Sequence, residues 1–138
     1  MELRTSRSIT FAAASQLVAE GVAEATEHRT PLSIAVVDPQ GTLLAFARMD
    51  GAPAFSARLA ISKALTSATF GRPTADMDSL IADRPGFAAG FLPQGPWFIA
   101  RGGAPIIVDR ETVGAVGVSG NTAEVEDELA RRLAGGKA

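Results

Sequence analysis

The spacing of apolar residues along the chain predicts three main helices. Apolar side chains recur every three or four positions over residues 8–27, which is the period of a helix with one buried face. A second helix is predicted over residues 55–70, because Gly71 and a nearby proline follow it, as they often follow a helix end. Asn121 or Thr122 begins the third helix, whose early acids and late arginines suit the helix dipole.

Short runs of apolar and β-branched residues predict five strands. They cover residues 32–38, 42–49, 97–100, 104–109 and 112–119. The first two strands, and then the last three, are joined by short turns, and strands joined in this way pair antiparallel. Helices do not follow every strand, so a doubly wound parallel sheet is not expected. The pattern predicts an α+β fold in which a five-stranded antiparallel sheet is covered by helices.

Length and charge narrow the class of protein. A chain of 138 residues has the size of one domain, and we expect residues 1–138 to form one. The 13 Lys and Arg against 15 Asp and Glu give a net charge of −2, without the positive excess typical of nucleic-acid binding. There is no apolar run long enough to cross a bilayer, and the first residues lack the apolar core of a signal peptide. We therefore expect a cytoplasmic protein that binds neither nucleic acid nor membrane.

Residue types that are missing or rare limit the chemistry further. The chain has no cysteine, which excludes disulfides, thiolate metal sites and a cysteine nucleophile. It has no tyrosine, which excludes a tyrosinate haem ligand. Because His28 is the one histidine, no histidine-rich metal centre is expected within one subunit. We predict no metal-ion site.

One long cation interrupts a stripe of small residues on the second predicted helix. Ser56, Ala60, Lys63 and Ser67 recur at helical spacing, and small side chains let a ligand or another backbone approach closely. A lysine there is a candidate to anchor an anion or, when desolvated, to act as an acid or base. The alternative is an ordinary solvated or interface lysine. Ser56 is a candidate ligand-binding residue of the same stripe.

We predict a ligand pocket beside Lys63. Residues at strand ends and in turns add polar groups to it. Arg48 and Asp50 lie where the second strand ends. There, Arg48 is suited to bind a carboxylate, or the two pair with each other and fix the loop. Gly102 and Gly103 lie in a hairpin turn whose backbone N–H groups suit an oxyanion, although turn formation alone also explains them. Ser119 ends the last strand beside the start of the last helix.

A glycine- and proline-rich segment over residues 84–96 is predicted to be a long loop that covers this pocket. Phe91 in the loop and Trp97 just after it are candidate ligand-binding residues that exclude water, or else they form a subunit contact. With Lys63 and Asp50 as candidate catalytic residues, the pocket suits a small organic acid or a carbonyl compound.

Several separated motifs, in this order, resemble one family. They lie at residues 36–41, 46–52, 63–68, 102–106 and 114–120. The sequence resembles the GlcG/HbpS-type family, also called the haem-degrading domain family, and the C-terminal domain of PduO. The resemblance covers nearly the whole chain. It implies a profilin-like α/β/α sandwich and homo-oligomers, from dimers to octamers. The family often has one acid early in the last helix, and Glu126 and Asp127 both qualify.

The resemblance leaves three functions open. The first is small-molecule binding, with proton-transfer or lyase-type catalysis in a catabolic or biosynthetic pathway. The second is haem binding, for which His28 is the candidate axial ligand because haem-binding relatives use a histidine in this N-terminal region. The alternative role of His28 is to stabilise the end of the first helix. The third is a non-catalytic oligomeric accessory module. Haem is thus the one cofactor expected, and only under the second function.

Overall fold

In the computed structural model, which describes residues 1–135, four strands form one antiparallel sheet. The strands are β1 (Ser33–Val37), β2 (Leu43–Arg48), β3 (Gly103–Val108) and β4 (Glu111–Ser119). They lie in the order β2–β1–β4–β3, so β1 and β4 are central and each neighbour runs antiparallel. The α+β class and the antiparallel sheet are confirmed.

The described residues also form five α-helices. They are α1 (Phe11–Glu27), α2 (Ser56–Phe70), α3 (Asp78–Asp83), α4 (Pro85–Phe91) and α5 (Ala123–Leu133). Short 3-10 helices cover Thr74–Met77 and Leu92–Gln94. Helix α4 and the second 3-10 helix lie in the segment predicted to be a loop. Pro85 occupies the first turn of α4, where its missing N–H leaves no hydrogen bond unmade.

The predicted fifth strand, over residues 97–100, is wrong. This segment is neither strand nor helix, and the sheet has four strands. The Phe98 N–H donates to the hydroxyl oxygen of Thr66 on α2 (3.1 Å) instead of joining a ladder. Trp97 packs on aromatic rings of α2 and α4. Residues 97–100 are apolar because they cover helices α2 and α4. They therefore have the composition of a strand, although they pair with no other strand.

Helices cover both faces of the sheet. Along β1, Ile34 and Val36 face a core shared with α1 and α5, whereas Ala35 and Val37 face α2. All five residues of β1 are buried. This explains why β1 is a continuous apolar run in the sequence.

Helix α2 lies unusually close to β4. A Cβ atom on Gly117 would overlap the Ala60 carbonyl oxygen and would lie 2.7 Å from the Ala64 nitrogen. A glycine inside a strand often marks the close approach of another element, and here that element is α2. The small-residue stripe of α2 therefore faces the sheet, and this orientation carries Lys63 into the interior.

The N-terminal segment is fixed to the β3–β4 hairpin. The Ile9 N–H donates to the Val113 carbonyl (2.8 Å), and Thr10 caps α1 through its hydroxyl. The Glu111 carboxylate accepts from the Arg7 backbone N–H (3.0 Å) and from the Arg7 Nε (2.8 Å). These hydrogen bonds hold the pKa of Glu111 below its usual value.

In the described residues, no helix is long and apolar enough to cross a membrane.

Candidate functional site

Lys63 lies at the centre of a buried polar network at the end of β4. Its side chain projects from α2 and the residue is only 2% exposed. The Nζ ammonium donates to the Val118 carbonyl oxygen (3.0 Å) and to Oε1 of Glu126 (2.9 Å). Lys63 therefore joins the helix on one face of the sheet to the first turn of α5, which packs on the other face.

The second oxygen of Glu126 completes this network. Glu126 Oε2 accepts the Gly120 N–H (2.7 Å) and the Asn121 N–H (3.1 Å), so the carboxylate holds the turn between β4 and α5. Thr122 caps α5 by accepting the Val125 N–H (3.3 Å), as one of the two predicted start residues. A buried charge is tolerated when it is paired and hydrogen-bonded, and both conditions are met here.

Glu126 is the main residue that the sequence analysis leaves undecided. Its signal is its spacing: it precedes Leu129 by three residues and Leu133 by seven, so it lies on the buried stripe of α5. Asp127 is one position off that stripe and pairs instead with Arg131 (3.0 Å). Of the two acids, Glu126 is thus the one on the buried side of α5.

The two glycines predicted to bind a ligand lie against Lys63. Gly102 has a φ of +120°, and a Cβ there would lie 2.5 Å from the Val118 oxygen and 3.0 Å from Lys63 Nζ. The Gly103 N–H donates to the Thr74 hydroxyl oxygen (2.9 Å), inside the protein. Both glycines are buried. Their small size lets the start of β3 approach α2, and the Gly103 N–H is satisfied within the chain.

A row of hydroxyl groups lies at the same end of the sheet. Ser33 of β1 lies on the face that α2 covers, because it alternates with Ile34 in the same way as Ala35 does. Paired residues share a face, so Ser119 of β4 and Arg48 of β2, which both pair with Ser33, lie on that face too. The Ser56 hydroxyl donates to the Pro53 carbonyl (2.6 Å) and therefore accepts from the Ser33 hydroxyl (2.9 Å). The serines are buried, whereas Arg48 is exposed at the edge strand.

Asp50 lies apart from these buried groups. It is exposed in the turn after β2, and within residues 1–135 no ion pair joins it to Arg48. The carboxylate beside Lys63 belongs to Glu126. The structure thus brings Lys63, Gly102 and Gly103 together, and it leaves Asp50 at the surface.

Phe91 and Trp97 stack on each other, with ring centroids 4.6 Å apart and planes 21° apart. Phe70 at the end of α2 contacts both rings edge-on. Trp97 also lines an open apolar cavity of about 490 Å³ beside α3, here called the Trp97 cavity. The link to the buried network is Phe98, whose ring centroid lies 5.8 Å from Lys63 Nζ.

His28 is exposed at the end of α1 and lines a different cavity, of about 290 Å³, between α1 and α5. We call it the His28 cavity. Its floor is formed by buried apolar residues, namely Ala25, Leu32 and Leu129. Its rim carries charged or titratable side chains, namely Glu24, His28, Glu128 and Arg132. The Arg132 guanidinium is paired with Glu24 across the groove. This cavity lies on the α1–α5 side of the sheet, whereas Lys63 enters from the α2 side.

Comparison with known proteins assigns the family. The family described as "Haem degrading protein HbpS-like" matches residues 9–134. The chain belongs to this HbpS-like family. Protein GlcG of Escherichia coli (strain K12) is 36% identical over 107 residues, which is 77% of each chain. The crystal structure of HbpS has a TM-score of 0.87 at 29% identity, over 97% of this chain and 93% of that one. The PduOC:heme complex has a TM-score of 0.81 at 25% identity, over 93% and 94%.

In this HbpS-like protein, the Lys63 network and the His28 cavity differ in whether their polar groups already have partners. Lys63 and Glu126 satisfy each other and nearby backbone groups without a ligand. The His28 cavity instead presents titratable side chains to open space above an apolar floor. In the described part of the chain, no group of three or more His, Asp and Glu side chains is placed to hold a metal ion.

Proposed function

We propose that this protein binds a small organic molecule in the His28 cavity. The observation that carries the proposal is the combination of an apolar floor with a polar rim around about 290 Å³ of open space. Ligand sites are typically concave and mostly apolar, with a few polar groups that orient the ligand. The floor residues Leu32 and Leu129 suit an aliphatic or aromatic body, and His28, Glu128 and Arg132 supply polar contacts.

The burial of Lys63 favours ligand binding, and not proton transfer by Lys63, as the function. A catalytic acid or base needs to reach the proton that it moves, directly or through one water molecule. Lys63 is 2% exposed, and both of its hydrogen bonds go to protein groups. Catalysis by Lys63 with Asp50 remains a prediction. It would need a second subunit or a movement of the turn at Gly102 to bring a substrate to the ammonium.

Closing the His28 cavity tests the proposal. Val125 stands at its rim and is 38% exposed, so we expect Val125→Trp to fill the opening with little change in stability. Val108 at the end of β3 is similarly exposed, at 44%, and does not line this cavity, so Val108→Trp is the matched control. The measurement is native mass spectrometry for a co-purified ligand, followed by thermal-shift assays with small acids, amines and carbonyl compounds.

We expect a ligand that binds the unsubstituted protein and Val108→Trp at the same concentration, and Val125→Trp at least ten times more weakly. Equal binding by all three proteins would place the ligand elsewhere. If no compound binds and none co-purifies, the third function, an accessory module without a ligand, becomes the better account.

Haem is the second candidate ligand, supported by one residue and one relative. His28 offers an exposed imidazole at the cavity rim, and PduOC, a structural relative, is known as a haem complex. Because each chain has one histidine, two imidazole ligands on one iron require two subunits. We expect haemin to give a Soret band that saturates at one haem per two chains and is lost in His28→Ala.

Light scattering during the same titration tests assembly. We propose a homo-oligomer, from a dimer to an octamer, because Leu43, Phe46 and Phe55 are large apolar residues exposed to solvent in the single chain. A monomer mass at micromolar concentration would contradict assembly.

Haem binding that persists unchanged in His28→Ala would contradict the axial role of His28.

A further inference from the structure

We propose a second, separate ligand site in the cavity of about 220 Å³ between the end of α2 and the end of α5, with a small aliphatic monocarboxylate as its ligand. We call it the Arg72 cavity. Two arginines line it, Arg72 and Arg131. The other lining residues are glycine, proline or aliphatic, among them Pro73, Ala104 and Pro105.

The charge of the lining selects an anion. No acid is among the residues that line the Arg72 cavity, so Arg72 and Arg131 are its charged lining residues. Arg72 forms no ion pair within residues 1–135. Its backbone is held in place because its carbonyl accepts the Ser67 hydroxyl (2.8 Å). Arg72 is therefore the cation of this cavity that no acid in the described residues offsets.

Arg131 contributes a guanidinium that is already oriented. Its Nε lies 3.0 Å from Oδ2 of Asp127, and its Nη2 lies 3.7 Å from Oδ1 of Asp76. These acids offset its charge but fix the plane of the group, and Nη1 takes part in neither contact. A donor that is held in place loses less conformational entropy when a ligand binds.

The size and the chemistry together define the ligand. Guanidinium donors match the planar geometry of a carboxylate and bind it through two parallel hydrogen bonds. At about 30 Å³ for each water-sized group, the volume holds about seven non-hydrogen atoms. The apolar walls beside the arginines suit a short hydrocarbon chain better than a second charge. Butyrate has the right charge, length and polarity to serve as the probe.

Titration with butyrate, followed by NMR or calorimetry, tests the site. We expect saturable binding that becomes at least tenfold weaker in Arg72→Gln and is unchanged in Arg58→Gln. Arg58 is an exposed arginine of α2 outside the cavity and without an ion pair in the described residues, so it is the matched control. Arg72→Lys keeps the charge but not the fork, and we expect it to recover only part of the affinity. Val125→Trp closes the other cavity and should leave butyrate binding intact.

Butyramide and inorganic phosphate are the comparison ligands. Butyramide, which has the same shape without the charge, should bind at least tenfold more weakly than butyrate. Equal binding of the two, or a loss in Arg58→Gln as large as in Arg72→Gln, would overturn the site. Phosphate that binds more tightly than butyrate would overturn the assignment of a carboxylate with a hydrocarbon chain.

Discussion

Replacing Glu126 with glutamine should lower the free energy of unfolding by about 3–5 kcal/mol, because it leaves the Lys63 ammonium buried without its counter-charge. The glutamine keeps the shape of the side chain, so the packing around it is retained. Its amide has one acceptor oxygen in place of two, so an NH2 group then faces either the Lys63 ammonium or the two backbone N–H groups of the turn before α5. Urea unfolding followed by circular dichroism measures the change.

The surface pair of Arg101 with Glu124 is the matched control for this experiment. Its closest atoms are 4.0 Å apart and its side chains are 52% and 72% exposed, so Glu124→Gln should change the free energy of unfolding by less than about 1 kcal/mol. Lys63→Met combined with Glu126→Gln should cost less than the sum of the two single changes, because no unpaired charge is then left buried. If Glu126→Gln is as mild as Glu124→Gln, the pair does not hold the fold together.

The same experiment bears on the role of Lys63 in function. If Lys63 only holds the structure, replacing it should lower the free energy of unfolding and the ligand affinity together. A catalytic lysine should instead show its loss in turnover, with Lys63→Arg retaining ligand binding but not the proton transfer.

Most of the fold is readable from the sequence because its signals are local. The helical period of α1 and α5 and the continuous apolar run of β1 are each contained within the residues of a single segment. The error at residues 97–100 has the opposite origin. That segment is apolar because Trp97 and Phe98 cover α2, and no property of its own four residues tells a covering segment from a paired strand.

The candidate site is only partly readable for a related reason. The small-residue stripe around Lys63 predicts a special environment, and the structure places Lys63 against Gly102 and Gly103. Its partner, Glu126, is 63 residues away and is brought there by the packing of α5. Asp50 is nearer in sequence, but it follows an edge strand and stays at the surface. The cavities are shaped by two or more elements each, so no single motif predicts them.

Gly117→Ala should lower the free energy of unfolding by about 3 kcal/mol or more. The added methyl group would overlap the Ala60 carbonyl oxygen and lie 2.7 Å from the Ala64 nitrogen, and both atoms belong to the backbone of α2. A side chain can rotate away from such a contact, but a helix backbone cannot. Relief therefore requires α2 to move off β4, which would disturb the buried Lys63 network as well.

Gly90→Ala provides the control for this prediction. Gly90 lies in α4, and a Cβ there meets nothing within 4 Å, so alanine should raise the free energy of unfolding by about 0.5–1 kcal/mol through its better helix propensity. Thermal and urea unfolding of both variants give the comparison. Should Gly117→Ala fail to fold, its insolubility beside a stable Gly90→Ala supports the same conclusion. A Gly117→Ala protein as stable as Gly90→Ala would show that α2 has room to move away from the sheet.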